Sequence, residues 1–188
     1  MTVATITLPR LMMVGENAHK EVSACLFKLG LKRPLIVSDQ YMAESHTLSK
    51  ITSILDGENI NWDSFTDTVP DPTTKVVEQG ASILRSGDFD SLIALGGGSP
   101  IDTSKAMAVL ATHGGSMCDY KVPNQVDVNH YPIIAIPTTA GTGSETTGVS
   151  IFDIAATGAK TGIRDRAIRP SCDTTSTKIP HTTGRTRR

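Results

Sequence analysis

The chain has 188 residues, enough for one well-buried domain and short for two, with the 38% apolar and 20% charged fractions of an ordinary globule. An aromatic content of 4% argues against a stacking surface for single-stranded nucleic acid, and no apolar run approaches the roughly 20 residues of a membrane span. The net charge of −1 conceals an asymmetry, since residues 1–159 carry −7 and residues 160–188 carry +6.

The N-terminus MTVATITLPRLMMVGENAHK lacks a basic flank followed by an apolar block, so neither a secretory signal nor a transit peptide is read, and a cytoplasmic location is expected. Cys25, Cys118 and Cys172 form no CxxC pair and leave an odd one over, which suits a reducing compartment. Each reads as a small buried apolar side chain or a free thiol.

TITLPRLMM (residues 5–13) is compatible with a strand or a β-hairpin. From Glu16 to Leu29, Val22, Cys25, Leu26 and Leu29 recur at helical spacing, and Gly30 stands where a left-handed cap belongs. PLIVSD (34–39) reads as a strand, and Leu48, Ile51 and Leu55 mark a second helix before Gly57. INWDSFT (60–66) alternates like a half-buried strand. After VPDPTT, Val76, Val77, Ala81 and Leu84 predict a third helix ending at Gly87. SLIAL (91–95) reads as a fully apolar strand, a further helix begins near Pro100, and YPIIAIP (131–137) is another buried strand. Alternation of strand and helix with strands apolar on both faces predicts an α/β fold, a Rossmann-like parallel sheet with helices on both faces.

Three segments carry chemistry. In SLIALGGGSPIDTSKAMAVL a strand runs into glycines and then a helix. Such a junction offers bare backbone N–H groups and the positive end of a helix, which suits phosphate or pyrophosphate. Gly97, Gly98 and Ser99 are the candidate contacts, with Ser99 as N-cap or phosphate donor and Asp102 as capping-box partner or ribose ligand. A Gly-rich turn with a capped helix would look the same. Asp39 closes the strand LIVSD at the C-terminal edge of the predicted sheet, where open α/β folds place ligands. A carboxylate there accepts hydrogen bonds from an adenosine ribose and repels a 2′-phosphate, favouring NAD(H) over NADP(H); an exposed turn aspartate is the plain alternative. IPTTAGTGSETT (136–147) brings Thr138, Thr139, Thr142 and Thr147 into one loop able to wrap a nucleotide or to serve as a surface turn. The acid precedes the glycines, the reverse of the usual dinucleotide fingerprint. The five histidines show no metal spacing, and neither a GxSxG elbow nor a P-loop is present.

ALGGGSPIDTSKAMA and IPTTAGTGSETT, in this order and about 40 residues apart, make the sequence resemble the iron-containing (group III) alcohol dehydrogenase family over roughly residues 5 to 170. The resemblance implies an N-terminal dinucleotide-binding domain and an all-helical C-terminal domain whose Asp and His ligands hold iron or zinc. It implies that Gly97, Gly98 and Ser99 hold the pyrophosphate, that Asp39 holds the adenosine ribose, that residues 138–147 cover the nucleotide, and that Lys160 lies near the nicotinamide ribose. After AIRPS the sequence departs from the family and reads CDTTSTKIPHTTGRTRR. The expectation is therefore a dinucleotide domain over 1–170, a basic disordered tail over 171–188, and a helical metal domain that is absent. Asp173 and His181 are not carried over as metal ligands, no metal is expected, and the catalytic residues stay unassigned. The expected function is that of an NAD(P)-dependent alcohol dehydrogenase or aldehyde reductase in truncated form, with weak or partner-dependent hydride transfer, or else a non-catalytic NAD(H)-binding module. The uncovered domain face predicts a homo-oligomer. The tail has no aromatic residue or nucleic-acid motif and reads as a solvated end.

Overall fold

A computed structural model describes residues 8–120, 126, 128–154 and 159–176. Six strands form one parallel sheet: β1 (Leu11–Gly15), β2 (Pro34–Asp39), β3 (Asp63–Thr68), β4 (Ser91–Gly96), β5 (Ile133–Pro137) and β8 (Cys172–Ser176). Their order across the sheet is β1-β8-β5-β4-β2-β3. Two further strands, β6 (Val149–Ile154) and β7 (Ala159–Arg164), make a separate antiparallel pair. The helices are α1 (Val22–Leu29), α2 (Gln40–Glu44), α3 (Thr47–Gly57), α4 (Thr74–Ser86) and α5 (Gly98–His113).

The apolar strands bury both faces. Leu35, Val37, Leu92, Ala94, Ile133 and Ala135 point to one side, where Val77, Ala81 and Leu84 of α4 and residues 106–110 of α5 cover them. Ile36, Ile93, Leu95, Ile134 and Ile136 point to the other, under Val22, Cys25 and Leu26 of α1 and Ile51 and Leu55 of α3. This two-residue alternation gives each strand two cores, which is why the strands read as unbroken apolar runs. Each fully buried Leu or Ile contributes about 1.5–3 kcal/mol. Gly30 ends α1 at φ 73, with its N–H on Leu26 O and Phe27 O, as the glycine stop requires.

The structure departs from the sequence expectation in three places. The strand expected over 60–66 starts at Asp63, because Ile60 N–H is already bonded to Leu55 O at 2.9 Å and finishes α3. The hairpin β6–β7 follows the threonine-rich loop, in a stretch for which the sequence reading named no element. Most consequentially, the boundary expected at residue 170 falls short: Cys172–Ser176 enters the sheet between β1 and β5. Its polar residues fit there because Thr174 Oγ1 donates to Ala135 O and Thr175 Oγ1 donates to the Asp173 carboxylate. The rest of the expected tail, with His181, lies outside the described residues, as do residues 5–7 of the expected N-terminal strand. No described helix is long and apolar enough to cross a membrane.

Candidate functional site

The chain leaves β2 toward β3 on one side and returns to place β4 on the other, so the sheet reverses its winding at β2. At such a point the loops following adjacent strands diverge and leave a crevice outside their C-terminal ends. A cleft of about 520 Å³ opens there, lined by residues following all four neighbouring strands. Asp39 to Met42 follow β2, Thr68 to Pro70 end β3, Gly97 to Pro100 follow β4, and Thr138 and Thr139 follow β5.

The floor is the start of α5. Gly97, not Ser99, is the N-cap, in an extended conformation and with no side-chain cap bond; Ser99 lies inside the first turn. The expected Ser99 cap is thus corrected, because the glycine run lets the helix begin two residues earlier. Gly96 has φ +140, open to glycine at little cost, and a Cβ there would stand 2.7 Å from Pro100 Cγ. A Cβ on Gly97 would stand 3.1 Å from Thr139 Oγ1. The first N–H groups of this 16-residue helix have no partner within the helix and open on the cleft.

The walls are polar where they meet this floor. Thr138 N–H bonds Gly96 O at 2.9 Å and ties the β5 loop to the β4 loop. Thr138 Oγ1 and Thr139 Oγ1 are buried and have no hydrogen-bond partner among the described residues. Two orphaned hydroxyls at one cleft mark places where a ligand's polar atoms would be accepted. Asp39 Oδ1 accepts the Met42 N–H at 2.8 Å and caps α2, while the carboxylate borders the opposite end of the cleft.

The structure therefore brings together Asp39, Gly97, Gly98, Ser99, Thr138 and Thr139. Thr142 packs over Gly98, where a Cβ would lie 3.5 Å from the threonine's Cβ. Asp102 does not line the cleft. Its carboxylate accepts from Lys105 Nζ (3.3 Å), Ser144 Oγ and Ile151 N (3.1 Å), all on the side facing β6. Lys105, fully buried, also donates to Ser144 Oγ at 3.0 Å and Val149 O at 2.6 Å; burial lowers its pKa and Asp102 opposes that. Thr147 faces a different hollow, with Arg164, Arg166 and Arg169. Lys160 on β7 pairs with Asp71 at 2.5 Å, just beyond the cleft-lining Val69 and Pro70.

Sequence reading missed Gln40 to Met42, Thr68 to Pro70 and the Lys105 brace. The first two follow the rule that found Asp39, that ligands gather at C-terminal strand ends. The brace had a signal in the i, i+3 spacing of Asp102 and Lys105.

Comparison with known proteins identifies relatives of this fold. A family model described as iron-containing alcohol dehydrogenase matches residues 9–173. The NAD-dependent methanol dehydrogenase of Bacillus methanolicus is 33% identical over 164 residues, 87% of this chain and 43% of that protein. The mitochondrial hydroxyacid-oxoacid transhydrogenase of Xenopus tropicalis is 36% identical over 163 residues, 84% of this chain and 35% of its own. The crystal structure of sulfoacetaldehyde reductase from Bifidobacterium kashiwanohense in complex with NAD+ superposes with a TM-score of 0.89 at 29% identity, covering 97% of this chain and 48% of that one. The chain spans less than half the length of each of these relatives.

Proposed function

Because the chain belongs to the iron-containing alcohol dehydrogenase family, we propose that its cleft binds a nicotinamide dinucleotide, NAD(H) in preference to NADP(H), as the cofactor half of an oxidoreductase acting on a small alcohol or aldehyde. The observation that carries this reading is the pair of orphaned threonine hydroxyls over a glycine floor at the start of α5, with Asp39 across the cleft. The free N–H groups of α5 and the Thr138 and Thr139 hydroxyls supply donors to a pyrophosphate, whose charge the helix N-terminus favours. Asp39 orients the adenosine ribose through hydrogen bonds to its hydroxyls and sets a like charge against a 2′-phosphate. The bound relative's NAD+ supports the assignment.

Once bound, the nicotinamide would supply hydride exchange with the carbon bearing the alcohol oxygen. The described residues orient the cofactor and hold no group of three or more His, Cys, Asp or Glu side chains suited to the metal in the family's description. Weak or partner-dependent hydride transfer by this chain belongs to the same proposal, as does its alternative, a purely NAD(H)-binding module. In this reading Lys160, tied to Asp71 at the cleft's margin, would face the nicotinamide ribose, and Thr138 and Thr139, with Thr142 over Gly98, would cover the nucleotide. Self-association is part of the same reading. Met12 and Val14 of the edge strand β1 are 40% and 65% exposed and offer an apolar row for a second copy.

Titration of the purified chain with NADH and NADPH, followed by nicotinamide fluorescence, tests the reading. Saturable binding with NADH tighter than NADPH is expected, and a folded chain that binds neither overturns it. Alcohol oxidation assayed on the same preparation, with and without added Fe2+, then separates a working half-site from a purely binding one.

A further inference from the structure

Cys25 and Cys172 are 147 positions apart in the chain, yet their Sγ atoms meet at 2.6 Å. Both side chains are fully buried. Cys25 lies on the inner face of α1, and Cys172 opens β8, where it registers with Leu11 of β1 and Ile134 of β5. A third sulfur, Met13 Sδ, stands 3.7 Å from Cys25 Sγ. A separation of this kind lies close to the roughly 2.05 Å of a disulfide bond. Helix and strand therefore need little movement to join.

We propose that Cys25 and Cys172 form a modification site, an oxidisable dithiol that closes to an intrachain disulfide between α1 and β8, with hydrogen peroxide as the oxidant. The Cys25 sulfur, as thiolate, attacks one peroxide oxygen; the O–O bond breaks and hydroxide leaves, taking up a proton as water. The resulting sulfenic acid meets the Cys172 sulfur, which displaces its oxygen as a second water and yields the S–S bond. The two sulfurs together give up two electrons, and the peroxide accepts them.

The roles of the two sulfurs follow from their surroundings. The contact with Cys172 lowers the Cys25 thiol's pKa from its ordinary value, with Lys28 on the same helix adding to the effect against the opposing desolvation. The same contact, with burial, pushes Cys172 up, so it remains the proton-bearing partner. Access comes from the sheet's edge. β1 is the outermost strand, and β8 registers with it at five positions but with β5 at only two. Local opening at this edge, where β1 is paired on one side only, admits an oxidant little larger than water. Cys118 is exposed and serves as an internal control, since it can oxidise only alone or between chains.

The test treats the reduced full chain with stoichiometric hydrogen peroxide, alkylates remaining thiols in denaturant and maps the peptides. The expected result is a Cys25–Cys172 cross-linked peptide within one chain, which is lighter by two hydrogens, and a denaturation midpoint that rises and falls back with dithiothreitol. The rise follows because a cross-link over so long a loop constrains the unfolded chain. Cys118→Ser keeps both signals, and Cys25→Ser or Cys172→Ser removes both. Recovery of Cys25 and Cys172 as thiols or as separate sulfinic acids, or only as links between chains, overturns the proposal. If Cys25→Ser does not fold, the mass of oxidised Cys118→Ser decides by itself.

Discussion

Lys105 and Asp102, three residues apart on α5, form an ion pair whose lysine side chain is 0% exposed and whose aspartate is 16% exposed. The pair also grips Ser144 and the backbone of Val149 and Ile151, so it fastens the far end of the threonine-rich loop and the start of β6 to the helix that floors the cleft. Lys105→Met leaves Asp102 as a poorly compensated carboxylate. Truncating one partner of a buried pair costs about 3–5 kcal/mol, and that loss is expected in urea denaturation. Lys105→Met with Asp102→Asn should lose less than the sum of the two single losses; strict additivity would mean that the two side chains do not act together.

Asp39 has two duties that a pair of variants separates. Asp39→Asn keeps a side-chain oxygen for the Met42 N–H but removes the charge, so stability should hold while discrimination between NADH and NADPH relaxes. Asp39→Ala removes both and should also lose about 1 kcal/mol of stability. Parallel titrations and thermal melts check this, and an unchanged NADH preference in both variants would refute the ribose role.

Gly97 is a clean probe of the cleft floor because its φ is −78, a value any residue adopts. The side chain of Gly97→Val would enter the space beside Thr139 Oγ1, so NADH affinity should fall at least about tenfold, corresponding to roughly 1.4 kcal/mol, with the fold retained. Normal affinity in a folded variant would remove the pyrophosphate seat from the proposal. Gly96→Val, by contrast, should destabilise the chain itself, since φ +140 and Pro100 both oppose a side chain.

Asp173 gives stability a pH dependence. Burial raises its carboxyl from 3.8 to about 6, against the Thr175 hydroxyl that lowers it and with the Glu145 charge adding to the rise. A carboxyl raised on folding binds more protons in the folded state than in the unfolded one. Its contribution is therefore present at low pH and is lost as pH climbs from about 4 to about 6. The loss is on the order of 3 kcal/mol by the usual conversion of pKa to free energy. Asp173→Asn should flatten this slope and stabilise the chain at pH 7; denaturation midpoints at pH 4, 5, 6 and 7 would expose a persistent slope if another group is responsible.

The cleft was legible to an unusual degree because its residues sit where chain direction alone puts them. Asp39, Gly97 and Thr138 each follow an apolar run, and parallel strands bring all such ends to one edge. Asp102 misled for the opposite reason: its place in the motif suggests a ligand contact, but it lies about one turn, roughly 5.4 Å, further along α5, beside Ser144 and β6, where three donors occupy it. Tyr41 and Val69 gave no local signal, since a residue lining a cleft through the neighbouring loops carries no pattern of its own.

By itself the sequence determined the alternating elements as far as Pro137, the two-sided burial of the strands and the glycine floor. These depend on hydrophobic period and local backbone freedom, both written in adjacent residues. Only the tertiary structure decided that Cys172–Ser176 is a strand, that Lys105 is buried against Asp102, and that Cys25 meets Cys172. A polar segment becomes a strand when its neighbours offer acceptors, as Ala135 O does for Thr174, and such partners come from distant parts of the chain. The two thiols were read singly as inert or free; their meeting depends on α1 packing over β8, a relation between residues 147 positions apart that no local pattern records.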